Sequence, residues 1–201
     1  VFPQELEGQQ IGAYLLVTLD AGSQDELDNM LEQMAELVLD AGAMDVLVAD
    51  TPAKIKDAWA ARSSFLEAIM HETKLLDECD VVVPVNKIAD YLDFVNKTGE
   101  DCGLVIKSFG HAGDGNLHIY QCSNDLEEEE FKSRVDKFFE IIYREATNCG
   151  GLVSGEHGIG SGKIKYLVDS VGETNMALME GIKRVFDPKM ILNPGKVCYR
   201  L

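Results

Sequence analysis

The sequence predicts an α+β fold in which an antiparallel sheet has helices packed on one face. Three observations carry this expectation. Short apolar runs rich in strand formers are interspersed with stretches of helical periodicity, without the strict strand–helix–strand rhythm of a doubly wound sheet. An Asp114-Gly115 turn signal joins two strand-like runs, "GLVIKSFGH" and "NLHIYQC". No short-period repeat and no low-complexity linker divides the 201 residues, a length suited to one large domain or two small ones.

Each element has its own signal. "IGAYLLVTLD" (11–20) and "DVLVAD" (45–50) read as strands. Between them Leu27, Met30, Leu31, Met34, Leu37 and Val38 recur at the spacing of one helix face, which ends before Gly42. Thr51-Pro52 opens a second helix, an N-cap followed by proline at the first helical position, and that helix is expected to run to about Leu75. "DVVVP" (80–84) is a further strand, followed by a helix from about Asn86 to Lys97. After the hairpin come a long helix (126–148), the glycine-rich "CGGLVSGEHGIGSGK" and helices at 163–169 and 173–186. The tail "DPKMILNPGKVCYR" closes the chain. The order fits elements of ferredoxin-like type.

Charge and cysteine content narrow the function classes. The chain has 18 basic and 35 acidic residues, a net of −17, with no basic stripe, so nucleic acid is excluded as a partner. No run reaches the roughly 18–20 apolar residues of a membrane span. Five scattered cysteines without a CxxC argue against a zinc knuckle, an iron–sulfur site or a disulfide framework. A reducing cytoplasm is the compartment expected from that usage.

"GHAGDGNLHIY" (110–120) holds two of the four histidines. A two-residue type I′ loop at Asp114-Gly115 would set His111 directly opposite His118, with Cβ atoms about 4.5–5.5 Å apart. Alternation puts Leu104, Ile106, Leu117 and Ile119 on one face. Lys107, Phe109, His111, Asn116, His118 and Tyr120 share the other, a composition that suits the wall of a site. Two such imidazoles either hold a metal or are structural. "SGEHGIGSGK" (154–163) offers Glu156 as a third ligand, and two histidines with one carboxylate leave coordination positions open. His157 beside it is then free to act as a base. Asp114 reads as turn chemistry, and Glu127–Glu130 as the acidic start of a helix. Gly162-Lys163 fails the P-loop pattern, and Gly158, Gly160 and Gly162 miss the dinucleotide-binding spacing. These glycines are expected to let the backbone pass close to a ligand or another domain.

"GHAGDGNLHIY", "SGEHGIGSGK" and "DPKMILNPGKV", in this order, resemble the C-terminal region of the FAD-linked oxidase family over nearly the whole chain. The resemblance implies that residues 1–201 are a substrate or cap domain that packs on an N-terminal FAD-binding domain outside this sequence, and that the isolated chain neither holds FAD firmly nor turns over. It implies a divalent metal (Zn, Fe or Mn) on His111, His118 and Glu156, with His157 as catalytic base. Asn116 and Asn193 match positions that approach the flavin, and Arg62 in "WAARSSFLEA" matches an arginine that grips the substrate carboxylate. The implied substrate is a small 2-hydroxy acid of the D-lactate or glycolate type. Tyr120 and Glu78 stand where the family's hydroxyglutarate enzymes carry Asn and Lys, which disfavours a dicarboxylate. Electrons would leave through an acceptor such as an electron-transfer flavoprotein, a quinone chain or an iron–sulfur subunit. The rival readings are a ferredoxin-like metal-binding module without redox chemistry, or a metal-dependent hydrolase.

Overall fold

A computed structural model describes residues 11–198 and resolves the chain into two compact units, one through Leu66 and one from Glu67 onward. The first unit contains α1 (Gln24–Asp40) and α2 (Pro52–Ser63). Ser23 caps α1 by accepting from Glu26 N, and Glu26 reaches back to Gly22 N, a variant of the capping box. Thr51 caps α2 ahead of Pro52, as the sequence indicates. The expected strands at 11–20 and 45–50 do not form: neither run has a paired neighbour among the described residues, and an extended run without a ladder is not a strand. The helix expected to reach Leu75 stops at Ser63. Ser64 donates its hydroxyl to Ala60 O, closing α2, and α3 (Phe65–Glu72) starts afresh.

The second unit is built on a three-stranded antiparallel sheet in the order β1 (Leu75–Val82), β3 (Asn116–Ser123), β2 (Val105–His111). Central β3 is buried along its whole length. Cys79, Val81, Leu117 and Ile119 face a core completed by Tyr91 and Val95 of α4 (Ile88–Cys102), Phe138 and Ile142 of α5 (Glu128–Asn148), and Leu167 and Met176 of α6 (Ile164–Phe186). The expected α+β architecture is thus realised, with α4, α5 and α6 on one sheet face, while Ile69 of α3 packs with Tyr120 and Cys122 on the other. The helix expected from Asn86 begins instead with a 3-10 turn (Val85–Lys87) and extends to Cys102, where Gly103 ends it in the left-handed conformation. The two expected C-terminal helices are both present, because Gly172, at φ +75° and ψ 165°, is non-helical and breaks α6 into two. Acidic residues do occupy the first turn of α5, and all five cysteines are free thiols.

The hairpin departs from the expected register. His111 pairs with Asn116 and Phe109 with His118, so the two histidines are not directly opposed. The connection is four residues, 112–115, in which His111 O accepts from Asp114 N and Gly115 N. Asp114 does not take the positive φ that a type I′ turn needs; its carboxylate accepts Asn116 N at 3.0 Å. Gly115 alone in the loop has positive φ, and a Cβ there would sit 1.9 Å from Val83 O. The register differs from expectation by two residues, which leaves every side chain on its expected face.

Candidate functional site

The polar face of the sheet gathers the candidate residues. β3 presents Asn116, His118 and Tyr120, β2 presents Lys107, Phe109 and His111, and β1 adds Glu78 and Asp80, with Asp80 paired opposite His118. Phe109 packs on His118 at 5.6 Å between centroids and stacks on Tyr120 at 5.1 Å, forming an apolar backing. The loop 154–158 brings Glu156 and His157 over this face.

Asp80 is what holds that loop. Only 1% exposed, it accepts Ser154 Oγ at 2.7 Å, His157 N at 2.8 Å, and the backbone N–H groups of Gly155 and Glu156. Lys163 donates to Asp80 O at 3.2 Å and lies 3.8 Å from the carboxylate. Gly155 is required at its place: a Cβ would come within 2.2 Å of Asn116 Oδ1 and 3.0 Å of Asp80 Oδ1. The sequence expectation leaves Asp80, Ser154 and Lys163 outside the site. A charged residue heading the apolar run "DVVV" was the available signal, and it reads equally well as a strand boundary. Gly158 and Gly160, expected to allow close passage, meet nothing within 4 Å among the described residues but do take positive φ.

Burial tends to raise the Asp80 carboxyl, but the N–H of His157, the Ser154 hydroxyl, Lys163 and the Glu156 N–H together outweigh it, and its pKa is lowered. Asp187 is likewise lowered: burial opposes, while Leu192 N, Ile191 N and Lys183 prevail. A carboxyl with a depressed folded pKa contributes stability above its unfolded value of about 3.9, and that contribution is lost as pH falls through the folded value. Acid titration followed by the near-ultraviolet circular dichroism of the tyrosines should therefore be flat from neutrality to about pH 5, with the loss at lower pH. Asp80→Asn should remove part of that acid sensitivity.

His118 Nε2 lies 2.8 Å from Glu156 Oε1, and His111 Nδ1 lies 3.8 Å from the same oxygen. One ligand atom from each of His111, His118 and Glu156 falls within 4.8 Å of the others. His157 stacks on His118 at 4.7 Å and 24°. Buried His118 Nδ1 has no hydrogen-bond partner. Two imidazoles and a carboxylate at this spacing fit a divalent cation. Asn116 is buried beside the cluster, and its unpartnered Oδ1 lies close against Gly155. Asn193 is not part of the cluster. It sits in the tail at φ +46° and lines a shallow cavity with Gly160, Lys183 and Lys196. Val197 N donates to Gly160 O at 2.7 Å, tying this tail to the glycine-rich loop. Arg62 lies on α2, in the first unit.

The chain belongs to a family of flavin-linked oxidases: residues 4–197 match the family described as FAD linked oxidases, C-terminal domain. It is 60% identical over 201 residues to a D-lactate dehydrogenase of Anaerostipes hadrus, covering all of this chain and 42% of that protein. It is 33% identical over 187 residues to the glycolate oxidase subunit GlcD of Bacillus subtilis (strain 168), covering 92% of this chain and 39% of that one. The chain thus spans about two fifths of the length of these relatives. Among solved structures, a 4-ethylphenol oxidase from Gulosibacter chungangensis, in an isoeugenol complex, shares the fold. It has a TM-score of 0.57 and 15% identity, covering 88% of this chain and 37% of that one. Among the described residues no helix is long and apolar enough to cross a membrane.

Proposed function

We propose that this chain is the substrate-binding cap of a flavin-dependent 2-hydroxy-acid dehydrogenase of the D-lactate or glycolate type. The observation that carries the reading is the convergence of His111, His118 and Glu156, with His157 stacked on His118, in a member of this family. His111, His118 and Glu156 hold a divalent Zn, Fe or Mn ion. That ion supplies Lewis acidity toward the substrate hydroxyl, and a flavin held mainly by an N-terminal domain supplies the electron-pair acceptor.

The chain's own residues do the rest. His157 takes the hydroxyl proton while a hydride leaves Cα, and the product is the 2-oxo acid. Arg62 offers a planar, permanently charged fork for the substrate carboxylate. Asn116 and Asn193 contact the flavin. Glu78 and Tyr120 give the same sheet face a carboxylate and an aromatic ring, which supports a monocarboxylate substrate over a dicarboxylate. Onward electron transfer goes to a partner such as an electron-transfer flavoprotein or an iron–sulfur subunit.

Elemental analysis of the whole protein tests the ligand set. One divalent ion per chain is expected in the wild type, and Glu156→Ala should reduce occupancy at least tenfold. Full occupancy in that variant would remove Glu156 from the set.

A further inference from the structure

Glu78 sits on β1, on the same sheet face as His118, and its Oε1 lies 3.1 Å from His157 Nδ1 and 3.5 Å from His118 Nδ1. The opposite nitrogen of His118 faces Glu156. His118 is only 4% exposed, and neither its Nδ1 nor Glu78 Oε1 has a hydrogen-bond partner. Leaving a buried donor or acceptor unpaired is costly, and these two atoms face each other at 3.5 Å. Asp80, the other carboxylate on this strand face, is already committed to Ser154 and the backbone of the 154–158 loop. Glu78 is therefore the carboxylate within reach of the two Nδ1 atoms.

We propose that Glu78 is a positioning residue that fixes both imidazoles in one tautomer. It accepts the Nδ1–H of His118, which leaves the Nε2 lone pair for the His111–Glu156 side. It also accepts the Nδ1–H of His157, which leaves that ring's Nε2 lone pair to take a proton. An ionised carboxylate has two oxygens and about four acceptor sites, enough for both rings. The chemistry is general: the partner of one ring nitrogen sets which tautomer the other presents, and a metal-ligating imidazole usually donates its remaining N–H to such a group. Because the two rings stack, one carboxylate can hold them as a pair. The inference rests on the preceding reading only for the tasks of the two Nε2 atoms.

The test compares wild-type, Glu78→Gln, Glu78→Asp and Glu156→Gln forms of the whole protein. Nitrogen-resolved NMR of the histidine rings reports the tautomers, competition with a chelator reports zinc affinity, and steady-state kinetics report kcat and KM. The wild type should hold His118 and His157 as Nδ1–H tautomers. Glu78→Gln should release at least one of them, weaken zinc about 10–100-fold, and lower kcat with KM nearly unchanged. Glu78→Asp, which keeps a carboxylate, should recover part of each loss.

Unchanged tautomers and zinc affinity in Glu78→Gln would overturn the inference. A second bound zinc that Glu78→Gln removes would overturn it too, because Glu78 would then be a ligand alongside His118 and His157. If the wild type binds no zinc and Glu156→Gln changes nothing, the metal reading fails. The tautomers of the metal-free protein then decide the role of Glu78 by themselves.

Discussion

Asp80→Asn is expected to destabilise the second unit by about 3–5 kcal/mol, the usual cost of breaking a buried charged pair by removing one partner. The substitution keeps the size of the side chain but removes the charge that Ser154, three consecutive backbone N–H groups and Lys163 converge upon. An amide would also turn an N–H toward donors that need an acceptor. The loss should be local as well as global. Loop 154–158 carries Glu156 and His157, so activity and metal occupancy should fall with stability. Urea unfolding gives the energy, and hydrogen exchange at Gly155, Glu156 and His157 gives the local component. A loss below about 1 kcal/mol, with protection of those amides intact, would mean that the loop is held by other contacts.

His157→Gln is expected to lower kcat about 10²–10⁴-fold, the range for removing a positioned general base. Metal content should stay at the wild-type level, because the ligands assigned are His111, His118 and Glu156. The contrast with Glu156→Ala separates the two roles of this adjacent pair. One variant loses proton transfer and keeps the ion, while the other loses the ion. An unchanged kcat in His157→Gln would move the base elsewhere, and a parallel loss of metal would make His157 a ligand.

Much of the site was legible because face membership is a period-two property. The sequence predicts a hairpin register with His111 opposite His118, whereas the structure pairs His111 with Asn116. Yet the shift of two residues preserved the face, and the rings still lie 5.9 Å apart. Asp114-Gly115 marked the turn correctly but not its length. Choosing between a two-residue and a four-residue loop depends on contacts remote in sequence, here Gly115 against Val83 O.

The runs at 11–20 and 45–50 show the opposite limit. Their composition favours strands, but a strand is completed only by a neighbour, and composition does not name one. The role of Asp80 is hidden in the sequence for a similar reason. Its partners lie 74 to 83 residues away, and nothing in "CDVVVP" points to them. In the sequence Glu78 stands out only as a departure from the family's dicarboxylate enzymes. Its closeness to two imidazoles comes from the pairing of β1 with β3 and from the loop that Asp80 holds.

The most direct test of the central claim is an anaerobic titration of the whole flavin-loaded protein with 2-hydroxy acids, read by the visible absorbance of the flavin. D-lactate or glycolate should bleach the flavin stoichiometrically, 2-hydroxyglutarate should do so poorly, and stripping the metal should abolish the response. A flavin that none of these acids reduces, or that responds equally well after the metal is removed, would contradict the account.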